Sequence, residues 1–95
     1  MRNYFLLSYD ISDPKRWRRV FRIASDFGDP LQYSVFLCLL SDKDRVVMES
    51  RLTDSISKKD DRVLLIRLRA AEDVENLVES FGKPFEVPEK RFFIC

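Results

Sequence analysis

The chain contains no histidine, which excludes His-based general acid/base catalysis, Ser-His-Asp triads and His-ligated zinc. Its two cysteines, Cys38 and Cys95, are far apart and follow no metal or redox spacing, so they read as reduced thiols of a cytoplasmic protein. Only two glycines and four prolines interrupt the chain, and 45% of residues are hydrophobic, which argues against disorder. No apolar run approaches the ~18–20 residues of a membrane span, and Met1 leads almost directly into a strand without signal-peptide architecture, so a membrane partner is not expected.

What remains is a 95-residue chain of one domain, 1–95, with 83–95 read as a tail. A chain of this size buries only about 60–65% of its unfolded surface. Eight Phe, three Tyr and one Trp are more aromatic surface than so thin a core needs, which points to an oligomer interface. The net charge is +1, but its distribution is uneven. Residues 14–25 hold Lys15, Arg16, Arg18, Arg19 and Arg22 with no acid, which leaves −4 on the rest of the chain. Such asymmetry points to an anionic partner touching one element.

The segment 3–11, NYFLLSYDI, is apolar and short, and reads as a buried strand ending at Asp10 or Ile11. Asp13 is placed to cap a helix and Pro14 suits its first position. The helix runs to Phe27 and stops at Gly28. Its Trp17, Val20, Phe21, Ala24 and Phe27 share one face, with Lys15, Arg18, Arg19 and Arg22 opposite and Arg16 at the edge. Asp29-Pro30 reads as a turn. Residues 31–40 read as one long strand or two short ones bent near Ser34.

Ser41 to Asp44 carries a capping-box pattern that opens a second helix with Met48, Leu52 and Ile56 as its buried stripe; Val46 and Val47 fit that stripe less well. Lys58 to Asp61 reads as a solvated turn. In 62–69, Leu64, Ile66 and Leu68 face one way, and Arg67 and Arg69 share the other face with Val63 and Leu65. Val74, Leu77, Val78 and Phe81 outline a third helix ended by Gly82, and Arg91 to Ile94 a terminal strand. This order predicts an α+β, ferredoxin-like split βαβ sandwich of βαββαβ type with an extra C-terminal strand. Both main helices lie on one face of the sheet, and a second subunit covers the other.

The run Tyr9-Asp10-Ile11-Ser12-Asp13, the basic helix after it, and Gln32-Tyr33-Ser34-Val35-Phe36 about twenty residues on resemble the CRISPR-associated protein two family over roughly residues 3–69. The resemblance implies a symmetric homodimer acting in spacer acquisition, an antiviral defence. In such a dimer Asp10 meets its twin across the two-fold axis and the pair holds one Mg²⁺ or another divalent cation. It further implies endonuclease activity on RNA or DNA, with Asp10 as catalytic and metal residue and the tail strand added to the partner's sheet. The CRISPR integrase is the implied protein partner, in a complex of one such dimer with two integrase dimers. Lys15, Arg16, Arg18, Arg19 and Arg22 are the candidate nucleic-acid contacts, and Tyr9, Ser34 and Phe36 their supports.

The chain departs from the family pattern at two points: Pro30 stands where a basic residue is common, and Leu37 and Cys38 follow Phe36 where an acid and a glycine are common. The first weakens a phosphate contact and the second removes an auxiliary carboxylate. Without the resemblance, Asp10 is a turn-former or cap, the basic stripe either a solvated face or a phosphate-binding one, Gln32 and Ser34 hydrogen-bonded polar groups, Tyr9 and Phe36 core or interface residues, and Cys38 a core residue. Three other functions stay open beside the nuclease: a non-catalytic DNA-binding scaffold that bridges integrase dimers, a toxin-like small ribonuclease of the virulence-associated type, and a regulatory domain for small ligands.

Overall fold

The computed structural model describes residues 2–70 and 77–86. Its elements are β1 (Asn3–Asp10), α1 (Pro14–Phe27), β2 (Gly28–Gln32), β3 (Val35–Leu40), α2 (Asp42–Ser55) and β4 (Arg62–Ala70). The four strands form one antiparallel sheet in the order β2-β3-β1-β4. Each helix connects two strands that lie on either side of a third, which is the double split βαβ of the ferredoxin-like fold.

Residue alternation decides the two faces of the sheet. Phe5, Leu7 and Tyr9 of β1 and Phe36, Cys38 and Leu40 of β3 point to the helices. There they meet Val20, Ile23, Ala24 and Phe27 of α1 and Met48 and Leu52 of α2 in one core. Val63 and Leu65 of β4 pack against its margin, and the Arg67 guanidinium lies 5.4 Å over the Phe5 ring. The opposite face is apolar too. Tyr4 and Leu37 are buried at its centre, with Leu6, Leu31, Leu39, Leu68 and Phe85 packed around them, while Leu64 and Ile66 are each 49% exposed.

The helix ends follow local chemistry. Asp13 Oδ2 accepts the Arg16 amide at 2.9 Å, and Pro14 follows at the first helical position. At the other end Gly28 is extended, with φ −160°, so its role is spatial: a Cβ there would stand 2.5 Å from Cys38 Sγ and 2.6 Å from the Leu37 carbonyl oxygen. In α2, Ser41 Oγ accepts the Asp44 amide at 3.1 Å. Val46 is exposed and Val47 only partly packed, as their poor fit to the stripe implies.

Three expectations need correction. Asp29-Pro30 is not a turn; α1 runs straight into β2, where Gly28 pairs with Cys38 and Pro30 with Phe36. Proline is tolerated because β2 is an edge strand, where a missing N–H can face away from the ladder. The chain reverses at Tyr33-Ser34 instead, so 31–40 contributes to two strands bent near Ser34. Second, Lys58 to Asp61 is not wholly solvated, because the Asp61 side chain is 0% exposed. Third, the expected helix does not reach Phe81: Leu77 is helical, residues 78–86 are not, and Phe81 is 91% exposed. A last helical turn needs a packed face, and Phe81 finds none. Residues 74–76 of that expected helix, and the terminal strand at Arg91 to Ile94, lie outside the described residues.

Candidate active site

The C-terminal end of β1, the start of α1 and the β2–β3 turn converge on a cleft of about 540 Å³. Its lining includes Asp10, Ser12, Trp17, Arg18, Tyr33 and Ser34. Asp10 ends β1, opposite Arg62 of β4, and is exposed. Among the described residues its carboxylate has no hydrogen-bond or ion-pair partner. Its position in the strand gives it the parity of Tyr4, Leu6 and Ser8, so it stands where the open face of the sheet meets the cleft.

The basic helix does not present its five cations alike. Lys15, Arg18, Arg19 and Arg22 are exposed and, among the described residues, carry no ion pair. Arg16 is different. Its Nε donates to Asp61 Oδ2 at 2.7 Å, and its Nη2 donates to Asp61 Oδ1 and to Ser12 Oγ, each at 3.3 Å. Asp61 also accepts the Ser57 amide at 2.8 Å and the Ser12 amide at 3.3 Å. The Arg16 guanidinium, followed by those two amides, holds the Asp61 carboxyl well below the usual carboxylate range. Arg16 therefore ties the β1–α1 turn to the start of β4, and it belongs to the scaffold of the site more than to its free cationic face. At ~100° per residue it lies about 100° from Lys15, toward the buried side that Ile23 extends.

The supporting residues form an aromatic array. Tyr9 stacks on Phe36 at 6.3 Å and meets the edge of Trp17 at 6.3 Å, while Phe21 meets Phe36 edge-on at 5.6 Å. Both Tyr9 and Phe36 are core residues. The Tyr9 hydroxyl is buried with no hydrogen-bond partner among the described residues. Burial, with a smaller contribution from the Tyr33 phenol, pushes its pKa up to about 12, so it stays neutral. Ser34 is structural on both counts: its carbonyl accepts the Tyr9 amide at 3.1 Å, and its Oγ accepts the Trp17 indole N–H at 3.2 Å. Gln32 is exposed on the β2 edge. Cys38 is a buried free thiol, pushed up to about 12 by burial, and carries no chemistry here.

The structure thus brings Asp10, Arg18 and Ser34 to one cleft, with Lys15, Arg19 and Arg22 on the same helix. Sequence reading missed Tyr33 and Asp61. Tyr33 adjoins Ser34 in a motif already singled out, so its place was open to inspection. Asp61 gave no signal, because its partner lies 45 residues away. Among the described residues no group of three or more His, Cys, Asp or Glu side chains converges as a metal site, and no helix is long and apolar enough to cross a membrane.

Comparison with known proteins agrees with this architecture. The chain is 44% identical over 90 residues to the CRISPR-associated endoribonuclease Cas2 1 of Rhodospirillum rubrum, covering 95% of this chain and 88% of that protein. It is 40% identical over 87 residues to the CRISPR-associated endoribonuclease Cas2 of Geobacter sulfurreducens, covering 90% of each. Among solved structures, Cas2 of Streptococcus pyogenes superposes with a TM-score of 0.74 at 31% identity, over 83% of this chain and 99% of that one. The model of the family described as CRISPR associated protein Cas2 matches residues 2–75, and with relatives this similar along most of its length the chain belongs to that family.

Proposed function

We propose that this protein is an endoribonuclease of the CRISPR system, cutting phosphodiesters with a divalent cation held at Asp10. The observation that carries the reading is the placement of an exposed, unpartnered carboxylate in one cleft with Arg18, at the foot of a helix face that bears three more free cations. Arg18, Arg19, Arg22 and Lys15 attract and hold the phosphate backbone without reading its sequence. One carboxylate per chain is too few to hold a hard cation alone. The donor set fits one that two Asp10 carboxylates share with water and phosphate oxygens.

Docking of a second copy through the open sheet face would bring two such carboxylates together, since Asp10 has the parity of that face and the face exposes Leu64 and Ile66. When bound, such a cation lowers the pKa of a water or steadies the leaving oxygen. Asp10 would hold that ion through its carboxylate oxygens as electron-pair donors, the arginines neutralise the flanking phosphates, and the Tyr9 phenol stays neutral near pH 7. Asp10→Ala, purified to homogeneity, is expected to lose Mg²⁺-stimulated RNA cleavage while remaining folded; unchanged cleavage would overturn the assignment.

A second reading is favoured by a specific feature. The positions after Phe36 are Leu37 and Cys38, both buried, so β3 supplies no further carboxylate to the cleft. In this reading the dimer is a DNA-gripping spacer between two integrase dimers. Asp10→Ala would then leave spacer integration intact, whereas charge reversal at Arg18 and Arg19 would abolish it.

A further inference from the structure

We infer that Tyr33 is a stacking platform for one unpaired nucleobase of the strand held in the cleft. The inference rests on the nucleic-acid-binding reading above and names the residue that meets the base. The Tyr33 ring lies 4.7 Å from Trp17, centroid to centroid, and 18° from parallel; Trp17 lies 5.2 Å from Phe21, again at 18°. Three rings therefore form a column that begins at the margin of the core and ends at the tip of the β2–β3 turn.

The column is braced from two sides. The Trp17 indole N–H is bonded to Ser34 Oγ, and the Ser34 carbonyl to the β1 backbone at Tyr9. The outermost ring is nevertheless 76% exposed. One of its faces lies on Trp17, so the opposite face is open to solvent. The turn itself does not demand an aromatic, since no non-glycine residue among those described has a positive φ and tips of this kind ordinarily carry small polar residues. A large ring held rigidly with one bare π-face is an arrangement suited to a flat ligand.

The neighbours of that face identify the ligand class. The same cleft is lined by Arg18, a free cation, and by Asp10. A base laid on Tyr33 would carry its phosphate on a backbone within the reach of a basic helix, so stacking and phosphate neutralisation combine, as in single-strand binding surfaces. In a duplex both faces of an internal base are already covered by its neighbours. Only unpaired bases offer a free face, and stacking tolerates any of them because every base has one.

The test uses the wild-type protein and three probes of equal length: an intact single strand, a wholly abasic strand and a duplex. Wild type is expected to bind the intact strand roughly five- to 150-fold more tightly than the abasic one. Tyr33→Ala is expected to remove that advantage, Tyr33→Phe to retain it, and duplex binding to be the same in all three proteins. Equal wild-type affinity for intact and abasic strands would overturn the platform and leave the cationic contact standing. Equal weakening of duplex binding by Tyr33→Ala would also overturn it, because the residue would then be only a brace. Absence of binding to every probe at low salt would overturn the nucleic-acid reading along with it.

Discussion

The division of labour among the five basic residues of α1 is open to a quantitative test. Each phosphate neutralised releases counterions, so the logarithm of the binding constant falls with the logarithm of salt concentration by ~0.9 per contact on duplex DNA and ~0.7 on a single strand. Lys15, Arg18, Arg19 and Arg22 are exposed and unpaired, whereas Arg16 is committed to Asp61 at 2.7 Å. Four contacts per chain give a slope of about −3.6 on a duplex and about −2.8 on a single strand. Between 50 and 200 mM salt that corresponds to a loss of affinity of about 150-fold or about 50-fold respectively. Arg18→Ala or Arg19→Ala should each flatten the slope by ~0.9 on a duplex or ~0.7 on a single strand. Arg16→Ala should leave the slope unchanged and lower the unfolding midpoint instead. The assay is a fluorescence-anisotropy titration repeated over a salt series, with denaturant unfolding of each variant beside it. If Arg16→Ala flattened the slope as much as Arg18→Ala, the pairing with Asp61 would not hold in solution and the reasoning would fail.

Other expectations follow from the same geometry. Gly28→Ala places a methyl 2.6 Å from a backbone carbonyl oxygen and should cost about 1–3 kcal/mol in denaturant unfolding; wild-type stability in that variant would refute the spatial role given to Gly28. Asp10→Ala, at an exposed strand end, should stay within ~0.5 kcal/mol of wild type, which separates its loss of cleavage from loss of fold. The Asp61 carboxyl is held below its unfolded pKa of ~3.9, so its contribution to stability is complete above about pH 5 and is lost as pH falls through its folded value. The unfolding midpoint of wild type should therefore drop more steeply into acid than that of Asp61→Asn. In a Cys95→Ser variant, alkylation of Cys38 should occur only as fast as the protein opens, because that thiol is buried and stays protonated.

Much of the fold was legible because its signals are local. The bounds of α1 come from a cap and a proline at its start and a glycine at its end, each acting on its immediate neighbours. The strands of the sheet centre declare themselves as short apolar runs, and the alternation in β4 sets Leu64, Ile66 and Leu68 apart from Val63 and Leu65. It did not say which set faces the helices, because both are apolar; the structure puts Val63 and Leu65 against the core and leaves Leu64 and Ile66 half open. The Asp29-Pro30 reading failed for a related reason. Proline breaks a strand where its missing N–H would have joined the ladder, and an edge strand offers positions where that N–H faces away.

The site was less legible than the fold because its logic is tertiary. Asp10 and the basic stripe were visible as residue types on known elements. The fate of Arg16 was not: helical geometry placed it at the border of the stripe, and only the approach of β4 decides that a buried carboxylate claims it. The loss of one cation from the face has a consequence for the remaining four. Asp61 binds the Ser12 amide as well as Arg16, so the turn between Asp10 and α1 is fixed from beneath. A side chain that offers no charge to a ligand thereby sets the distance between the carboxylate and the cations that do. Replacing Arg16 should therefore impair cleavage through the position of Asp10 while leaving the salt slope carried by Arg18 unchanged, and rescue by Lys should be poor, since one ammonium cannot reproduce the guanidinium's bonds to both Asp61 oxygens and to Ser12 Oγ.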